Sequence, residues 1–182
     1  MNKNKKIIAI IPARKGSKGV PNKNLQNILN KPLIKSKENY IVVFPNNDSG
    51  SQEILKEYER LSNYDNIKIF PSLKFEYFLT LLKNSKFLVG NSSAGIRETE
   101  IYGVPSINVG TRQQGRYKKC INILEADYTT KSILSAISGV EKISFTPSFI
   151  FGKGKSSDKF IETLNKSNVL NCNIQKRFVD LE

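Results

Sequence analysis

FLVGNSSAGIRETEIYGVPSINVGTRQ, residues 87–113, is the stretch that decides the fold predicted for this chain of 182 residues. Its apolar start ends at Gly90, and the Asn-Ser-Ser run at 91–93 is typical of a helix N-terminus. Residues 103–105 are a helix stop signal, and residues 106–109 are typical of a second strand. Strand, turn, helix and strand in this order indicate a parallel α/β sheet.

The same stretch carries the chemistry of an anion site. Ser92 and Ser93 supply hydroxyls at the predicted helix start, where free N–H groups and the helix dipole favour a phosphate. Gly95 would let a ligand approach the backbone closely, and Glu98 follows as a carboxylate for sugar hydroxyls. Arg112 follows the next strand, at the carboxyl edge where open sheets bind ligands. The residues alone leave open a helix with a good cap and no ligand.

Strands and helices alternate along the rest of the chain. Short apolar runs predict further strands at residues 7–11, 40–44, 67–70 and 120–124. Amphipathic spacing and capping residues predict helices at residues 52–62, 73–84, 127–138 and 158–166. Phe75, Phe78, Leu79 and Leu82 share one face of the second of these helices and are expected in the core. The alternation predicts a Rossmann-like parallel sheet with helices on both faces.

The net charge of +13 is concentrated at the start of the chain. Residues 1–37 contain ten of the 29 basic residues and no acidic residue, so the remaining 145 residues are almost neutral. A basic segment of this kind is compatible with nucleic acid, a phosphorylated small molecule or a solvated tail. No RNP motif, helix-turn-helix pattern or zinc finger is present, which argues against a nucleic-acid partner.

Composition restricts the chemistry and the compartment. The chain contains no histidine, which excludes histidine acid–base catalysis and argues against a zinc or iron site. No metal site and no cofactor are therefore predicted. Cys120 and Cys172 form no CxxC pattern and are expected to be free thiols in a reducing compartment, the cytoplasm. No apolar run approaches the ~20 residues of a membrane span, and no signal peptide or membrane partner is predicted.

A basic, glycine-containing loop follows the first predicted strand. The segment IIPARKGSKGVPNKNLQNILNKPLI, within residues 7–34, is similar to the opening of the CMP-sialic acid synthetase family. The resemblance implies that this loop once held CTP. The implied CTP-binding residues are Arg14, Ser17, Lys18, Lys23 and Asn24. No later stretch supplies that family's metal-binding aspartates, and a nucleotidyltransferase needs the metal, so synthetase activity is not expected.

Residues 39–164 resemble the C-terminal domain of the hydrolysing UDP-N-acetylglucosamine 2-epimerases of sialic acid biosynthesis. The motifs that carry the resemblance are YIVVFPNNDSGS, IKIFPSLKFEYFLTLLKNSKFLVGNSSAGIRE, YGVPSINVGTRQ and FGKGKSSDKF. The resemblance implies one half of a glycosyltransferase-B-like fold, in which this half grips UDP. The residues implied to bind UDP or UDP-GlcNAc are Asn46, Phe70, Ser92, Ser93, Gly95, Glu98 and Arg112.

The two resemblances together suggest a fusion with a junction near residues 35–39. Residues 1–36 are expected to be a cytidylyltransferase-like fragment and residues 37–182 the UDP-binding domain. The resemblance implies that the acid–base groups of the reaction lie in a half that this chain lacks, so no catalytic residue is assigned. We therefore expect UDP binding without turnover by the chain alone. The alternatives are an active epimerase completed by a partner chain or homo-oligomer, a CTP-binding remnant, and a basic nucleic-acid binder.

Overall fold

A computed structural model describes residues 7–12, 39–43, 58–118, 120–140 and 142–166. For residues 7–12 the description is of the backbone alone. The chain divides into two compact units, Met1–Ser148 and Phe149–Glu182. The first unit contains the sheet and every predicted site residue.

Six parallel strands form one sheet in the first unit. Its strands are β1 (Ile7–Pro12), β2 (Asn39–Val43), β3 (Ile67–Phe70), β4 (Ser85–Gly90), β5 (Ser106–Val109) and β6 (Ile123–Ala126). Their order across the sheet is β3-β2-β1-β4-β5-β6, so the direction of winding reverses between β1 and β4. This is the doubly wound arrangement, and it confirms the predicted Rossmann-like parallel sheet.

Helices cover both faces of the sheet. In the first unit they are α1 (Phe75–Lys83), α2 (Glu98–Tyr102) and α3 (Thr130–Val140), with a 3₁₀ turn at Ser93–Gly95 and helical residues at 58–61. The second unit contains a further helix, α4 (Ser156–Lys166), which buries none of its side chains. Within the described ranges, no helix combines the length and the apolar character that a bilayer crossing requires.

Alternating side chains of β4 build the core on both sides of the sheet. Phe87 and Val89 join the larger cluster, which includes Tyr58, Leu61, Ile107 and Ile133. Leu88 points to the opposite face and packs with Leu82 of α1 and Val104. A strand buried on both faces reads as a continuous apolar run, which is why its sequence predicted a strand so clearly.

The structure corrects three of the predicted elements. The last strand begins at Ile123, not residue 120, because the side chains of Cys120 and Asn122 turn away to hydrogen-bond Glu100. The helix predicted from residue 94 is a 3₁₀ turn followed by the separate α2. Phe75, expected in the core, is 59% exposed at the start of α1. The predicted junction at residues 36 and 37 lies outside the described residues.

Strand β1 pairs with β2 on one side and with β4 on the other, so its backbone N–H groups belong to the sheet. We predict that Ile10→Pro abolishes cooperative unfolding, because proline in a central strand removes a ladder hydrogen bond. Ile10→Val, which keeps the N–H group, is the matched control. Urea denaturation followed by circular dichroism measures both. A proline variant as stable as the valine variant would show that residues 1–36 are an appendage.

Candidate functional site

The predicted site residues that the structure describes lie mainly at the carboxyl edge of the sheet. β4 and β5 are neighbours and pair up to Gly90 and Asn108, near their carboxyl ends. The turn after β4 carries Ser92, Ser93 and Gly95, and the loop after β5 carries Arg112. The reversal of strand order lies immediately beside this turn, between β1 and β4. Open α/β sheets bind their ligands at such a point.

The turn after β4 uses the backbone N–H groups of residues 94–97 in its own hydrogen bonds. Ser92 is the N-cap of the 3₁₀ turn, and its Oγ accepts a hydrogen bond from the Ala94 N–H at 3.3 Å. The N–H of Gly95 donates to the Ser92 carbonyl, and the next two N–H groups donate to the Ser93 carbonyl. The N–H groups of residues 94–97 are therefore not free, and a short 3₁₀ turn replaces the expected start of a longer helix. The polar side chains of this turn are the hydroxyls of Ser92 and Ser93.

Gly95 owes its identity to internal packing. A Cβ at this residue would lie 2.5 Å from Ser106 Oγ and 2.9 Å from Leu88 Cδ2. Both contacts are far too close for real atoms, so only glycine lets the 3₁₀ turn lie against β4 and β5. The sequence suggested that this glycine admits a ligand to the backbone. In the structure, packing alone explains why residue 95 is a glycine, and no ligand is required.

Glu98 is the first residue of α2 and its side chain is half-buried. Its Oε2 atom is buried and has no hydrogen-bond partner in the structure. Buried carboxylate oxygens are normally hydrogen-bonded, because a buried acceptor without a donor costs about 1–3 kcal/mol. Glu98 therefore presents an acceptor that a hydroxyl donor could satisfy.

Arg112 is brought to the turn after β4. Its Nη1 donates to the carbonyl oxygen of Asn91 at 3.1 Å. Gln113, which the sequence did not single out, donates through Nε2 to the same oxygen at 2.8 Å. The residue immediately before Ser92 is thus joined to the loop after β5. The sequence signal for Gln113 was only its position beside the predicted arginine.

Other predicted site residues are not gathered at this turn. Phe70 ends β3 and is 36% exposed, and β2 and β1 lie between its strand and β4. Outside the described residues lie the predicted UDP residue Asn46 and the predicted CTP residues Arg14, Ser17, Lys18, Lys23 and Asn24. The roles of all these residues stay predictions.

A buried network on the far side of α2 holds that helix in place. Glu100 is 0% exposed, and its carboxylate accepts from Cys120 Sγ at 2.8 Å and from Asn122 Nδ2 at 2.9 Å. Its backbone carbonyl accepts from the Ser148 N–H at 2.8 Å. Burial, followed by the neighbouring Glu100, raises the pKa of Cys120 to about 11. This network is structural, since its groups bond to one another.

The loop that carries Arg112 is also fixed at both ends. Tyr128 packs on Gly110, where an added Cβ would lie 2.2 Å from the ring, and its hydroxyl accepts from the Thr111 N–H at 3.3 Å. Further along, Tyr117 donates its hydroxyl to Glu125, whose other carboxylate oxygen accepts from Asn108 at 2.9 Å. The loop is therefore held at its start, middle and end.

A cavity of about 510 Å³ lies elsewhere, between β6 and α3. Its lining includes Asp127, Thr129 and Ser132, which cap the start of α3. Hydrogen bonds from Thr129 lower the pKa of Asp127 from its ordinary value. None of the predicted site residues lines this cavity, and its polar groups already serve the helix.

Comparison with known proteins decides the family. The family model described as UDP-N-acetylglucosamine 2-epimerase matches residues 2–165. The chain belongs to the UDP-N-acetylglucosamine 2-epimerase family. It is 46% identical over 155 residues to the UDP-N-acetylglucosamine 2-epimerase of Neisseria meningitidis serogroup B, which covers 83% of this chain. The predicted epimerase resemblance is confirmed. The family match includes residues 7–34, and their similarity to the synthetases stays a prediction.

Solved structures share the fold of this chain. The UDP-GlcNAc 2-epimerase of Methanocaldococcus jannaschii, in complex with UDP-GlcNAc and UDP, matches with a TM-score of 0.68 at 19% identity, over 90% of this chain and 47% of that one. S. aureus MnaA, solved with UDP, matches with a TM-score of 0.70 at 14% identity, over 94% of this chain and 48% of that one. The fold is thus the Rossmann-like half of a glycosyltransferase-B-like fold.

The chain spans less than half of the length of these relatives. It covers 41% of the Neisseria protein and about half of each solved chain. What the relatives do as whole proteins therefore applies to this epimerase-family chain only as a proposal.

The packing of Gly95 gives a stability prediction. Gly95→Ala should lower the free energy of unfolding by about 1–3 kcal/mol, because the added methyl overpacks the junction of the turn with β4 and β5. Gly139→Ala in α3 is the matched control, since its Cβ would lie 3.1 Å from the flexible end of Leu124 and alanine favours a helix. Urea denaturation compares the two. Equal stability of both variants would contradict the packing role.

The Cys120–Glu100 contact predicts slow thiol chemistry. The pKa of Cys120 is raised from 9.0 to about 11, so at pH 8.5 its thiolate fraction should be about 100-fold lower than in the unfolded chain. Iodoacetamide alkylation of the Cys172→Ser chain, with and without urea, measures the ratio. Glu100→Gln should speed alkylation of the folded chain, although burial remains. A folded-state alkylation midpoint near pH 9 would contradict the assignment.

Proposed function

We propose that this chain is the UDP-binding half of a UDP-GlcNAc 2-epimerase of sialic acid biosynthesis, acting in the cytoplasm. In this proposal it binds UDP or the UDP part of UDP-GlcNAc at the carboxyl edge of the sheet. Membership of the family supports the nucleotide sugar as ligand, because two solved relatives with this fold carry UDP or UDP-GlcNAc.

The observation that carries the proposal is the unpartnered Oε2 atom of Glu98. Glu98 lies three residues after the end of the 3₁₀ turn, in the connection that follows β4, and β4 is one of the two strands between which strand order reverses. A ribose presents neighbouring hydroxyl donors, and a carboxylate is their natural acceptor, as in other doubly wound nucleotide sites. Glu98 is therefore assigned to the ribose of UDP.

The diphosphate is assigned to the hydroxyls of Ser92 and Ser93, which follow Asn91, and to the guanidinium of Arg112, which donates to the Asn91 carbonyl. Ser92 and the exposed Ser93 offer hydroxyl donors, since the Ser92 Oγ uses only an acceptor position within the turn. Arg112 is a permanent positive charge whose planar fork suits phosphate oxygens. Gly95 shapes the turn that places these groups. The proposal keeps Phe70 and Asn46 near the uracil and the sugar, as the resemblance implies.

Binding without turnover is the activity proposed for this chain by itself. The resemblance implies that the acid–base groups of the epimerase reaction belong to the family's other domain, and such groups contribute about 10²–10⁴-fold each. A partner chain or second copy that supplies that domain would make an active epimerase. Large apolar side chains exposed in the second unit, among them Phe149, Phe151 and Phe160, support an association of this kind.

The synthetase-like start remains part of the proposal as a fusion. The position of β1 supports a fusion that folds, because this strand lies in the synthetase-like start and is a central strand of the epimerase-like sheet. The residues predicted for CTP follow this strand in sequence. A CTP-binding remnant is therefore the second candidate function, to be separated from the first by direct titration.

The test is a calorimetric titration of UDP and CTP, separately, into the pure chain. We expect UDP binding, with Glu98→Gln and Arg112→Ala each about 10- to 100-fold weaker, because each loses hydrogen bonds that involve a charge, worth about 1.5–3 kcal/mol. Incubation with UDP-GlcNAc should release no UDP. Asp65→Asn removes a carboxylate from an exposed turn just before β3, at the opposite edge of the sheet, and is the matched control.

The outcomes separate the candidates. Binding of CTP alone, unaffected by Glu98→Gln, would replace the UDP site with the basic loop. Release of UDP by the isolated chain would overturn the proposed lack of turnover. Equal weakening by Asp65→Asn and Glu98→Gln would mean that the effect is not local to the carboxyl edge.

A further inference from the structure

The carbonyl oxygen of Asn91 is the point where two separate loops meet. Arg112 Nη1 and Gln113 Nε2 both donate to it, at 3.1 and 2.8 Å. Asn91 is 7% exposed and Gln113 is 1% exposed, so this junction is withdrawn from water. A hydrogen bond in such a setting is stronger than at the surface and more costly to leave unmade.

The structure of its own loop does not explain why the Gln113 side chain is buried. It lies in an irregular loop, where glutamine side chains are normally exposed, and its neighbour Gln114 is exposed as usual. The backbone of the loop is closed by its own turn, in which the Gln114 N–H donates to the Thr111 carbonyl. The Gln113 side chain is thus directed away from its own loop, to the turn after β4.

The consequence is geometric. The turn after β4 presents Ser92 and Ser93, and the loop after β5 presents Arg112. Tyr128 and Tyr117 hold the two ends of that loop to residues of β5, β6 and the α3 start, on the side away from β4. Gln113 holds its middle to the residue that precedes Ser92. The separation between the hydroxyls and the guanidinium therefore depends on this buried amide.

We propose that Gln113 is a positioning residue, whose hydrogen bond to Asn91 sets the distance between Arg112 and the serine hydroxyls to that required by a nucleoside diphosphate. The inference rests on the proposed function, because it concerns the same UDP site. Gln113 itself touches no ligand in this account. It acts by holding Arg112 and the turn in register before the ligand arrives, which lowers the ordering cost of binding.

The test compares UDP with uridine, which lacks both phosphates. Gln113→Met keeps the length of the side chain and removes the donor. We expect its affinity for UDP to fall about tenfold, while its affinity for uridine stays within about twofold of the unsubstituted chain. Ligand-observed NMR titration measures both ligands. Gln114→Met, in the exposed neighbour, is the matched control and should change neither affinity.

A second comparison separates positioning from general support. In an Arg112→Ala background, Gln113→Met should weaken UDP binding by less than about twofold, because the group that it positions is gone. A loss of the full tenfold there, or an equal loss for uridine and UDP, would overturn the inference. If Gln113→Met does not fold, Gln113→Leu replaces it, since this neutral side chain also cannot donate to the carbonyl and should give the same selective loss.

The result also distinguishes this inference from the proposed function. If the unsubstituted chain binds no UDP, the proposed function fails and the positioning role falls with it. If that chain binds UDP and Gln113→Met binds it equally well, the positioning role alone is wrong.

Discussion

The double pairing of β1 is the constraint on which the rest of this structure depends. β2 and β3 lie on one side of it and β4, β5 and β6 on the other, so the sheet is continuous only through this strand. All pairs are parallel, and parallel strands close only through long crossover connections. The pairing of β1 with both β2 and β4 offsets the entropy cost of closing those connections. The first strand of the chain therefore determines whether the fold exists.

The same pairing determines where a ligand can bind. Strand order reverses between β1 and β4, and in open α/β sheets the ligand crevice lies outside the carboxyl ends of the strands at such a reversal. The turn after β4 borders that crevice, and pairing of β4 with β5 brings the Arg112 loop next to it. The hydroxyls and the guanidinium are 20 residues apart in sequence, yet two hydrogen bonds to one carbonyl join their loops. The relative position of these groups in the proposed site is thus determined by the order and pairing of the strands.

The sequence predicted a strand accurately where the residues of that strand alone indicate that it is buried. β3 and β5 were predicted to the residue, because β3 ends before Pro71 and β5 lies between Pro105 and Gly110. β6 was misplaced because the mostly apolar run 120–124 resembles a strand, whereas the contacts of Cys120 and Asn122 with Glu100 are tertiary and leave no local pattern. The packing reason for Gly95 was missed for a similar cause: its close neighbours, Ser106 and Leu88, belong to other elements. The structure brings the loop of Arg112 to the turn that carries Ser92 and Ser93, and their role in binding an anion stays a prediction. The Asn91–Gln113 hydrogen bond left no local pattern in the sequence.

Helix α2 depends on contacts with other elements, and these contacts hold a residue of the proposed site in position. With five residues and no side-chain N-cap, it is far too short to be stable by itself. Its two acidic residues, two positions apart, lie in opposite environments. Glu100 is fully buried and receives hydrogen bonds from the Cys120 thiol and the Asn122 amide, so it anchors the helix. Glu98 retains an oxygen with no donor. The anchor holds that acceptor in position at a cost of about 1–3 kcal/mol, which only a rigid helix can sustain and which a hydroxyl-bearing ligand would recover.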